Sequence, residues 1–578
     1  MRLINIDVFL RREQLFDSGK RVERRTKVFE FRNDETTKYA ILSHRWNEPT
    51  EIDHEEMVDL AKMDEQEQDE IRGRLGYKKI VDTCKQAKRD GYELLWIDTC
   101  CIDKRSSADL SEAINSMYRW YAKAKICYAY LDDVDGSSFP TKKDEKKYSK
   151  SNGWPEWFSR GWTLQEMIAP QNLQFFNKNW QHIGDKEGLS QDLQRITGVP
   201  EDILADGLEG IRPCVAQIIS WAANRTTTRV EDRAYSLMGL LDVNMPMLYG
   251  EGKKAFHRLQ LEIIRSSNDE SIFAWGHKSD VRIGSILADD PSAFKGCSGM
   301  ELMNYDEFIK EFPELSSTNP DRFGVFPITN RGIQIWMRLR RHRANSNSVC
   351  RAYLPCRDRA NGPVVSIDLV LWMRSGNYNY YRYPSISRSA HDNSPSEFRQ
   401  VYLGYEDIPN DSITFDIDDS GITENGFTCS HADPTNFTRN TFTLTNTNPF
   451  CFKIYSEQRG NGCFKVDFGQ CLGQDWVHLG VARYSTRRID DKLKLQVPDG
   501  AQSMYSNFRT RLWVCHLRLP RSIWTVRIYR VVWDGSKTRL RMEVSRGPPF
   551  QNGLDKWKAY NVEVGDFFVH VDHYHDQS

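Results

Sequence analysis

Short apolar runs alternate with helical patterns over the first 275 residues, and this alternation constrains the fold more than any other feature. Four of the runs indicate buried strands, at 39–43, 94–98, 126–131 and 173–176. Apolar residues at helical spacing separate them, most clearly over 109–124. Strands without polar alternation that are joined through helices predict a parallel sheet covered on both faces.

The pattern changes twice farther along the chain. Between residues 171 and 275 it becomes mostly helical, with candidate helices at 214–221, 235–241 and 252–266. After about residue 285 short runs rich in Val, Ile, Tyr and Trp dominate, as in an antiparallel sandwich or barrel. We therefore predict four parts: a lead segment (1–35), an α/β core (36–185), a helical extension of that core (186–280) and a β-rich, sandwich-like C-terminal domain (285–578).

Composition limits the class of protein. Lys and Arg total 79 against 80 Asp and Glu, so the net charge of -1 disfavours nucleic-acid binding driven by the whole chain. No run approaches the roughly 18 apolar residues of a membrane span, and Asp7 and Arg11 come too early for a signal peptide. The 13 cysteines include no CxxC pair, which indicates reduced thiols without a zinc site. We expect a soluble cytoplasmic protein with neither nucleic-acid nor membrane partners and no bound metal.

Candidate binding residues follow from the rule that ligands bind outside the carboxyl ends of parallel strands. The rule selects three segments: Ser43-His44-Arg45-Trp46 after the first strand, Asp98-Thr99-Cys100-Cys101 after the second, and the loop leading into Trp162-Thr163-Leu164-Gln165-Glu166. Together they offer cations, aromatic faces, hydroxyl and thiol groups, and carboxylates. This mixture suits a ligand that carries both phosphate and a base.

Several motifs of the first half resemble those of the fungal HET (heterokaryon, or vegetative, incompatibility) domain. They are Tyr-Ala-Ile-Leu-Ser-His-Arg-Trp (39–46), Leu-Trp-Ile-Asp-Thr-Cys-Cys-Ile-Asp (95–103), Ser-Arg-Gly-Trp-Thr-Leu-Gln-Glu (159–166), and the segments 112–131, 231–240 and 245–252. The resemblance covers about residues 36–276. It implies a fungal protein that acts in non-self recognition and programmed cell death.

HET domains in turn resemble TIR domains, which have a flavodoxin-like fold and in many cases cleave NAD. The TIR signature Ser-x-Trp-Cys-x-x-Glu is approximated here by 159–166, with one extra residue before Trp162 and Thr163 in place of the Cys. The Trp-to-Glu spacing is kept, which puts Glu166 at the position of the TIR catalytic glutamate. The resemblance implies NAD as a substrate with no further cofactor, homo-oligomerisation on activation, and an unknown protein partner.

The chemistry of NAD cleavage can be argued from the reactants. Nicotinamide leaves without a general acid, so the barrier lies in the oxocarbenium-like charge that grows on the ribose, and one nearby carboxylate stabilises that charge. We assign this catalytic role to Glu166. Arg45 and Arg160 suit the pyrophosphate, because a guanidinium can bind its oxygens bidentately. Trp46 or Trp162 can stack on a ring, and Ser43, His44, Asp98 and Cys100 complete the candidate binding set.

Each assignment has a structural alternative. Glu166 can be stabilised by a helix dipole or by Arg160, and His44 can be a satisfied structural histidine. For the whole domain, one alternative is a non-enzymatic module that signals through homotypic contacts. Another is a thiol hydrolase that uses Cys100 or Cys101 with His44 as its partner.

Overall fold

The fold is known from a computed structural model of the chain. The structure describes residues 1–546, apart from 21, 24–26, 48, 209, 211, 279–280, 282, 314–321, 342–348, 375–376, 384–395, 407–411, 434–439, 446–449, 460–461, 472–473, 482–513, 520–523 and 534–536. The chain divides into two compact units. The first comprises Met1–Lys278, Leu287–Asn304 and Pro355–Pro363, and the second comprises Ser279–Ile286, Tyr305–Leu354 and the chain from Val364 onward.

The first unit is built of strands and helices that alternate along most of its length. Its strands are β1 (Arg2–Asn5), β2 (Phe29–Phe31), β3 (Ala40–His44), β4 (Leu94–Trp96), β5 (Ile126–Tyr130), β6 (Leu173–Phe176), β7 (His182–Asp185) and β8 (Glu301–Leu302). Its α-helices are α1 (Ile6–Asp17), α2 (His54–Asp59), α3 (Glu65–Gly73), α4 (Leu75–Arg89), α5 (Asp98–Cys101), α6 (Ser107–Lys123), α7 (Thr163–Ile168), α8 (Ser190–Thr197), α9 (Glu201–Asp206), α10 (Val215–Trp221), α11 (Asp232–Tyr235) and α12 (Lys254–Ser266). Short 3₁₀ helices span Leu60–Lys62, Glu156–Ser159, Glu270–Phe273 and Pro291–Cys297.

Strands β1–β7 form one mixed sheet in the order β2-β1-β4-β3-β5-β6-β7. Its centre, β4-β3-β5-β6, is parallel, whereas β1 runs antiparallel to both β4 and β2, and β7 runs antiparallel to β6. The prediction of a sheet with parallel strands in an α/β unit is confirmed. The chain passes from β3 to β4 on one side and then to β5 on the other, so the strand order reverses at β3, and such a reversal is where α/β sheets bind ligands.

Helix α6 shows how the sequence builds the layer above this sheet. Its buried residues recur at helical spacing and face the strands, with Ser106 capping the first turn through the amide of Asp109. The Trp96 ring of β4 meets Trp120 and Tyr121 edge-on, with ring centroids 5.5 and 5.9 Å apart. The Tyr121 hydroxyl donates to the Leu42 carbonyl at 3.0 Å, which fixes its ring against β3.

Two of the three helices predicted in the helical extension are confirmed. Helices α10 and α12 occupy the predicted ranges 214–221 and 252–266 within a few residues. The predicted helix at 235–241 is wrong, because helix α11 ends at Tyr235 and turns follow it. A side chain at Gly239 would bring its Cβ within 2.2 Å of the Tyr118 Cβ, so this glycine permits a close approach that a regular helix pattern does not reveal.

The remaining elements belong mainly to the second unit, which is rich in strands. They are α13 (Tyr305–Glu311), β9 (Ile333–Arg341), β10 (Val349–Arg357), β11 (Val364–Arg374), β12 (Asn377–Tyr383), β13 (Ser396–Leu403), β14 (Ile413–Asp418), α14 (Ser420–Thr423), β15 (Phe427–Asp433), β16 (Thr441–Leu444), β17 (Phe450–Glu457), β18 (Cys463–Cys471), β19 (Gln474–Val481), β20 (Val514–Arg518), β21 (Trp524–Trp533) and β22 (Lys537–Arg546).

Strands β9–β13 close into a small barrel, because β10 pairs with β11 as well as with β9. The strands after them form a five-stranded sheet, β16-β14-β22-β21-β20, and a four-stranded sheet, β15-β17-β18-β19. These two sheets contribute to one hydrophobic core, with Phe415 and Met542 from the first and Tyr455 and Phe468 from the second. The prediction of a β-rich C-terminal region is confirmed, and its first part is a barrel. Within the described residues, no helix is long and apolar enough to cross a membrane.

Candidate functional site

The candidate site lies at the carboxyl ends of β3 and β4 and on the first turn of α7. Ser43 and His44 are the last two residues of β3, and Asp98 follows β4 at the start of α5. Two side-chain contacts hold the site together. The Ser43 hydroxyl donates to Glu166 Oε2 at 2.5 Å, and His44 Nε2 lies 2.9 Å from Asp98 Oδ1. The strand-end rule therefore finds residues that the fold brings together.

Glu166 is buried inside this group, with 4% of its surface exposed. The indole of Trp157 donates to Ser43 Oγ at 2.8 Å, so a hydrogen-bonded chain runs from Trp157 through Ser43 to the carboxyl group. Burial and the charge of Asp98 raise the pKa of Glu166 to about 8, against the opposing effects of Ser43, Arg160 and Tyr121. At neutral pH the group is therefore mostly a carboxylic acid.

Asp98 is the fixed negative charge of the site. It accepts a hydrogen bond from Trp46 Nε1 at 2.7 Å in addition to its contact with His44. Burial works to raise the pKa of Asp98, but His44, Lys104 and Trp46 outweigh it and lower that pKa. The Lys104 amine lies 3.5 Å from the centre of the Trp46 ring, so one face of the indole already carries a cation.

Arg45 belongs to a neighbouring ion-pair network. Its Nη2 lies 2.7 Å from Asp132 Oδ2, and its Nη1 binds Glu156. Asn47 also donates to Asp132, at 2.8 Å. Because both ends of this guanidinium are bound to carboxylates, a pyrophosphate would have to displace one of them to bind Arg45 bidentately.

The remaining predicted residues lie around this group. Cys100 is buried, and burial raises the pKa of its thiol well above the usual value, so the thiol is neutral and this environment does not favour a nucleophile. Arg160 is half-buried, and its backbone pairs with Thr226. Trp162 is half-buried and hydrogen-bonds to Asp232, whose pKa burial raises.

Several residues around the site were not identified from the sequence. Asp132 and Asp133 follow β5, and the strand-end rule would have found them had it been applied to this third strand. Lys79 of α4 donates to Glu51 at 2.6 Å, and Arg225 reaches the turn before α7; no local pattern marks either residue. Among the side chains that the structure describes, no group of three or more His, Cys, Asp or Glu residues is placed to hold a metal ion.

Comparison with known proteins adds a family match. Residues 39–155 match the model of the heterokaryon incompatibility protein (HET) family. The chain is 42% identical over 231 residues to the vegetative incompatibility protein HET-E-1 of Podospora anserina, a match that covers 39% of this chain and 16% of that protein. The chain thus spans under a fifth of that relative's length. A crystal structure of the Xerocomus chrysenteron lectin XCL is 12% identical, with a TM-score of 0.15, over 24% of this chain and 98% of the lectin.

Proposed function

We propose that this chain, which matches the heterokaryon incompatibility (HET) family through residues 39–155, acts in vegetative incompatibility. In this proposal it is a cytoplasmic effector of programmed cell death in non-self recognition. Its HET domain is a TIR-like domain that hydrolyses NAD to nicotinamide and ADP-ribose products, and it is switched on by self-association. In the same proposal the β-rich C-terminal domain is a sandwich-like module that sets recognition, self-association or inhibition.

One observation carries the enzymatic part of the proposal: the carboxyl group of Glu166 is buried at the end of the central strand, where the strand order of the sheet reverses. The burial of a carboxyl group costs stability unless hydrogen bonds or an ion pair compensate it, and groups whose pKa is perturbed in this way concentrate at functional sites. Its contact with Ser43 holds one oxygen in a fixed place while it titrates near pH 8.

The titration of Glu166 suits a cationic substrate. The nicotinamide ring of NAD carries a positive charge, and an opposite charge within a few ångströms favours the ionised form of a carboxyl group. Substrate binding would therefore convert the acid into the carboxylate that stabilises the growing charge on the ribose. In this proposal Asp98, whose pKa is lowered beside His44 and Trp46, accepts hydrogen bonds from ribose hydroxyls. Arg160 is the better partner for the pyrophosphate, since Arg45 already binds two carboxylates.

A second candidate function is a non-enzymatic module that signals through homotypic contacts. The observation that favours it is the pairing of Arg45 with Asp132 and Glu156, because a cation held in this way stabilises the fold without needing a ligand. In that case Glu166 and Ser43 form a structural hydrogen bond at the end of β3.

The test is NAD consumption by the purified full-length chain without added metal, followed as nicotinamide release. We expect turnover in the wild-type protein, and a loss of about 10²–10³-fold in Glu166→Gln, the size typical of a lost electrostatic stabiliser. Glu145→Gln, at an exposed site, is the matched control and should behave as the wild-type protein does. Unchanged NAD at high protein concentration, including after induced clustering, would reject the enzymatic proposal and favour the signalling module. Full turnover in Glu166→Gln would reject only the role of this residue.

A further inference from the structure

Residues 225–227 lie against the turn that precedes α7, although they come about 60 positions later in the chain. The Thr226 amide donates to the Ser159 carbonyl at 2.6 Å, and the Gly161 amide donates to the Thr226 carbonyl at 2.9 Å. A side chain at Gly161 would place its Cβ 2.5 Å from Thr227 Cγ2, so the two segments are in close contact. The helical extension therefore holds the turn from which Glu166 is presented.

Arg225 is the buried cation of this contact, with 4% of its surface exposed. Its Nη1 donates to the Arg160 carbonyl at 2.9 Å and to Thr163 Oγ1 at 3.0 Å. Its Nη2 is buried and has no hydrogen-bond partner among the residues that the structure describes. Burial lowers the pKa of Arg225 to about 9, and the negative charge of Glu166 acts in the opposite direction.

A guanidinium that is buried without a bound carboxylate is costly, because its desolvation is not repaid by an ion pair. Two hydrogen bonds to the turn could be made by a neutral side chain as well. The positive charge itself therefore needs an explanation. Glu166 lies three residues after Thr163, the hydrogen-bond partner of Arg225, on the same short helix, and its negative charge would favour the charged form of Arg225.

We propose that Arg225 is a positioning residue of the NAD-cleaving site: it anchors the turn before α7 and supplies the buried positive charge that favours the ionised form of Glu166. This inference rests on the proposed function, because only a reaction that needs the carboxylate gives the charge a role.

The other groups that face Glu166 make the contribution of Arg225 distinct. From β3 Ser43 donates a hydrogen bond, and from α6 Tyr121 also acts to lower the pKa of Glu166. From the end of β4 the negative charge of Asp98 opposes ionisation, and the neutral Cys127 of β5 adds no charge. Arg160 is a second cation, but it is half-exposed and so is screened by water and salt. Arg225 differs from Arg160 in being buried, so water and salt screen its charge less.

The experiment compares Arg225→Gln, Arg225→Lys and Thr163→Val in the full-length chain. Two quantities are measured across pH: the rate of NAD cleavage, and the ionisation of Glu166 by infrared difference spectroscopy, with the band assigned by its loss in Glu166→Gln. In Arg225→Gln we expect both midpoints to rise by about one pH unit, which lowers cleavage at pH 7 about tenfold. Arg225→Lys should behave like Arg225→Gln near pH 8, because the burial that lowers the pKa of Arg225 to about 9 also lowers the pKa of a lysine, whose ordinary value is lower than that of arginine. Thr163→Val removes a partner of Arg225 without changing any charge, so it should speed amide exchange at Gly161 and Thr226 and leave the midpoints in place.

Equal midpoints in the wild-type protein and Arg225→Gln would overturn the inference, even if activity falls, because a purely structural role lowers the rate without moving the ionisation of Glu166. If the wild-type protein does not consume NAD, the proposed function fails, and the infrared titration alone decides whether Arg225 favours the carboxylate. Arg225→His, which is uncharged at pH 8, replaces Arg225→Gln if that variant does not fold.

Discussion

The pKa of Glu166 makes a prediction about stability that does not depend on any enzymatic activity. In the folded protein this pKa is about 8, against an ordinary value of 4.5. A group whose folded pKa is raised stabilises the fold fully below its unfolded pKa, and this contribution is lost as the pH rises through the folded pKa. The acid form of Glu166 therefore stabilises the first unit below pH 4.5, and the contribution declines between pH 4.5 and about 8.

The magnitude follows from the difference between these two pKa values. One pH unit corresponds to about 1.4 kcal/mol, so a difference of about 3.5 units is worth roughly 5 kcal/mol at full ionisation. Glu166→Gln removes the ionisation but keeps an oxygen that can accept the Ser43 hydrogen bond. Relative to this variant, the wild-type protein should lose stability by up to about 1.4 kcal/mol per pH unit between pH 5 and 8, and the difference should level off above pH 8.

The assay is denaturant unfolding of both proteins from pH 5 to 9, followed by tryptophan fluorescence and circular dichroism. A chain with two compact units need not unfold in one step, so the comparison uses the transition that the substitution moves. Transitions that the substitution leaves alone serve as internal controls, since every other group titrates equally in both proteins. A difference that is constant with pH would refute a buried neutral carboxyl group. If, in addition, the wild-type protein were more stable than the variant by the same amount at every pH in this range, Glu166 would be held as a carboxylate in an ion pair, because a lowered pKa changes stability only below pH 4.5.

Two further substitutions test the surroundings of the site by thermal unfolding. Gly161→Ala places a methyl group 2.5 Å from Thr227 Cγ2 and should lower the free energy of unfolding by about 1–3 kcal/mol. The additional substitution Thr227→Ser removes the opposing methyl group and should restore most of this stability. If it restores none, the strain lies elsewhere. Arg45→Gln leaves the carboxylates of Asp132 and Glu156 without their cation and should lower the free energy of unfolding by about 1–2 kcal/mol. The value is small because all three side chains are partly exposed. An unchanged melting temperature would mean that solvent screens the network.

The central strands could be predicted because their residues are apolar on both faces. Strands β3, β4, β5 and β6 all coincide with apolar runs in the sequence. Strands β1, β2 and β7 could not be found in this way, because they are short and mix polar or charged with apolar residues, and β2 and β7 are the two edge strands of the sheet. The segment 1–35, set apart as a lead in the sequence, supplies β1, α1 and β2 to the first unit.

In the site as well, residues could be predicted where the evidence is local in the sequence, and not where it depends on distant segments. Ser43, His44 and Asp98 could be found because they end strands whose carboxyl ends meet at one edge of the sheet. The pairing of Arg45 could not be found, because its partners come from two later segments and only the folded chain brings them together. Arg225 lies in a short polar segment that is typical of an exposed turn, yet it is buried.

The positions of these residues also show how much of the chain is needed to form the candidate site. The family model ends at residue 155, whereas Glu166, Arg160 and Arg225 all come after it. The identity to HET-E-1 extends over 231 residues, nearly twice the length of the segment 39–155, so the similarity is not confined to that segment. Because the turn before α7 is held by backbone hydrogen bonds to Thr226, the carboxyl group of Glu166 cannot be placed by residues 39–155 alone. The smallest part of this chain that can carry the proposed chemistry must therefore include the helical extension at least as far as residue 227.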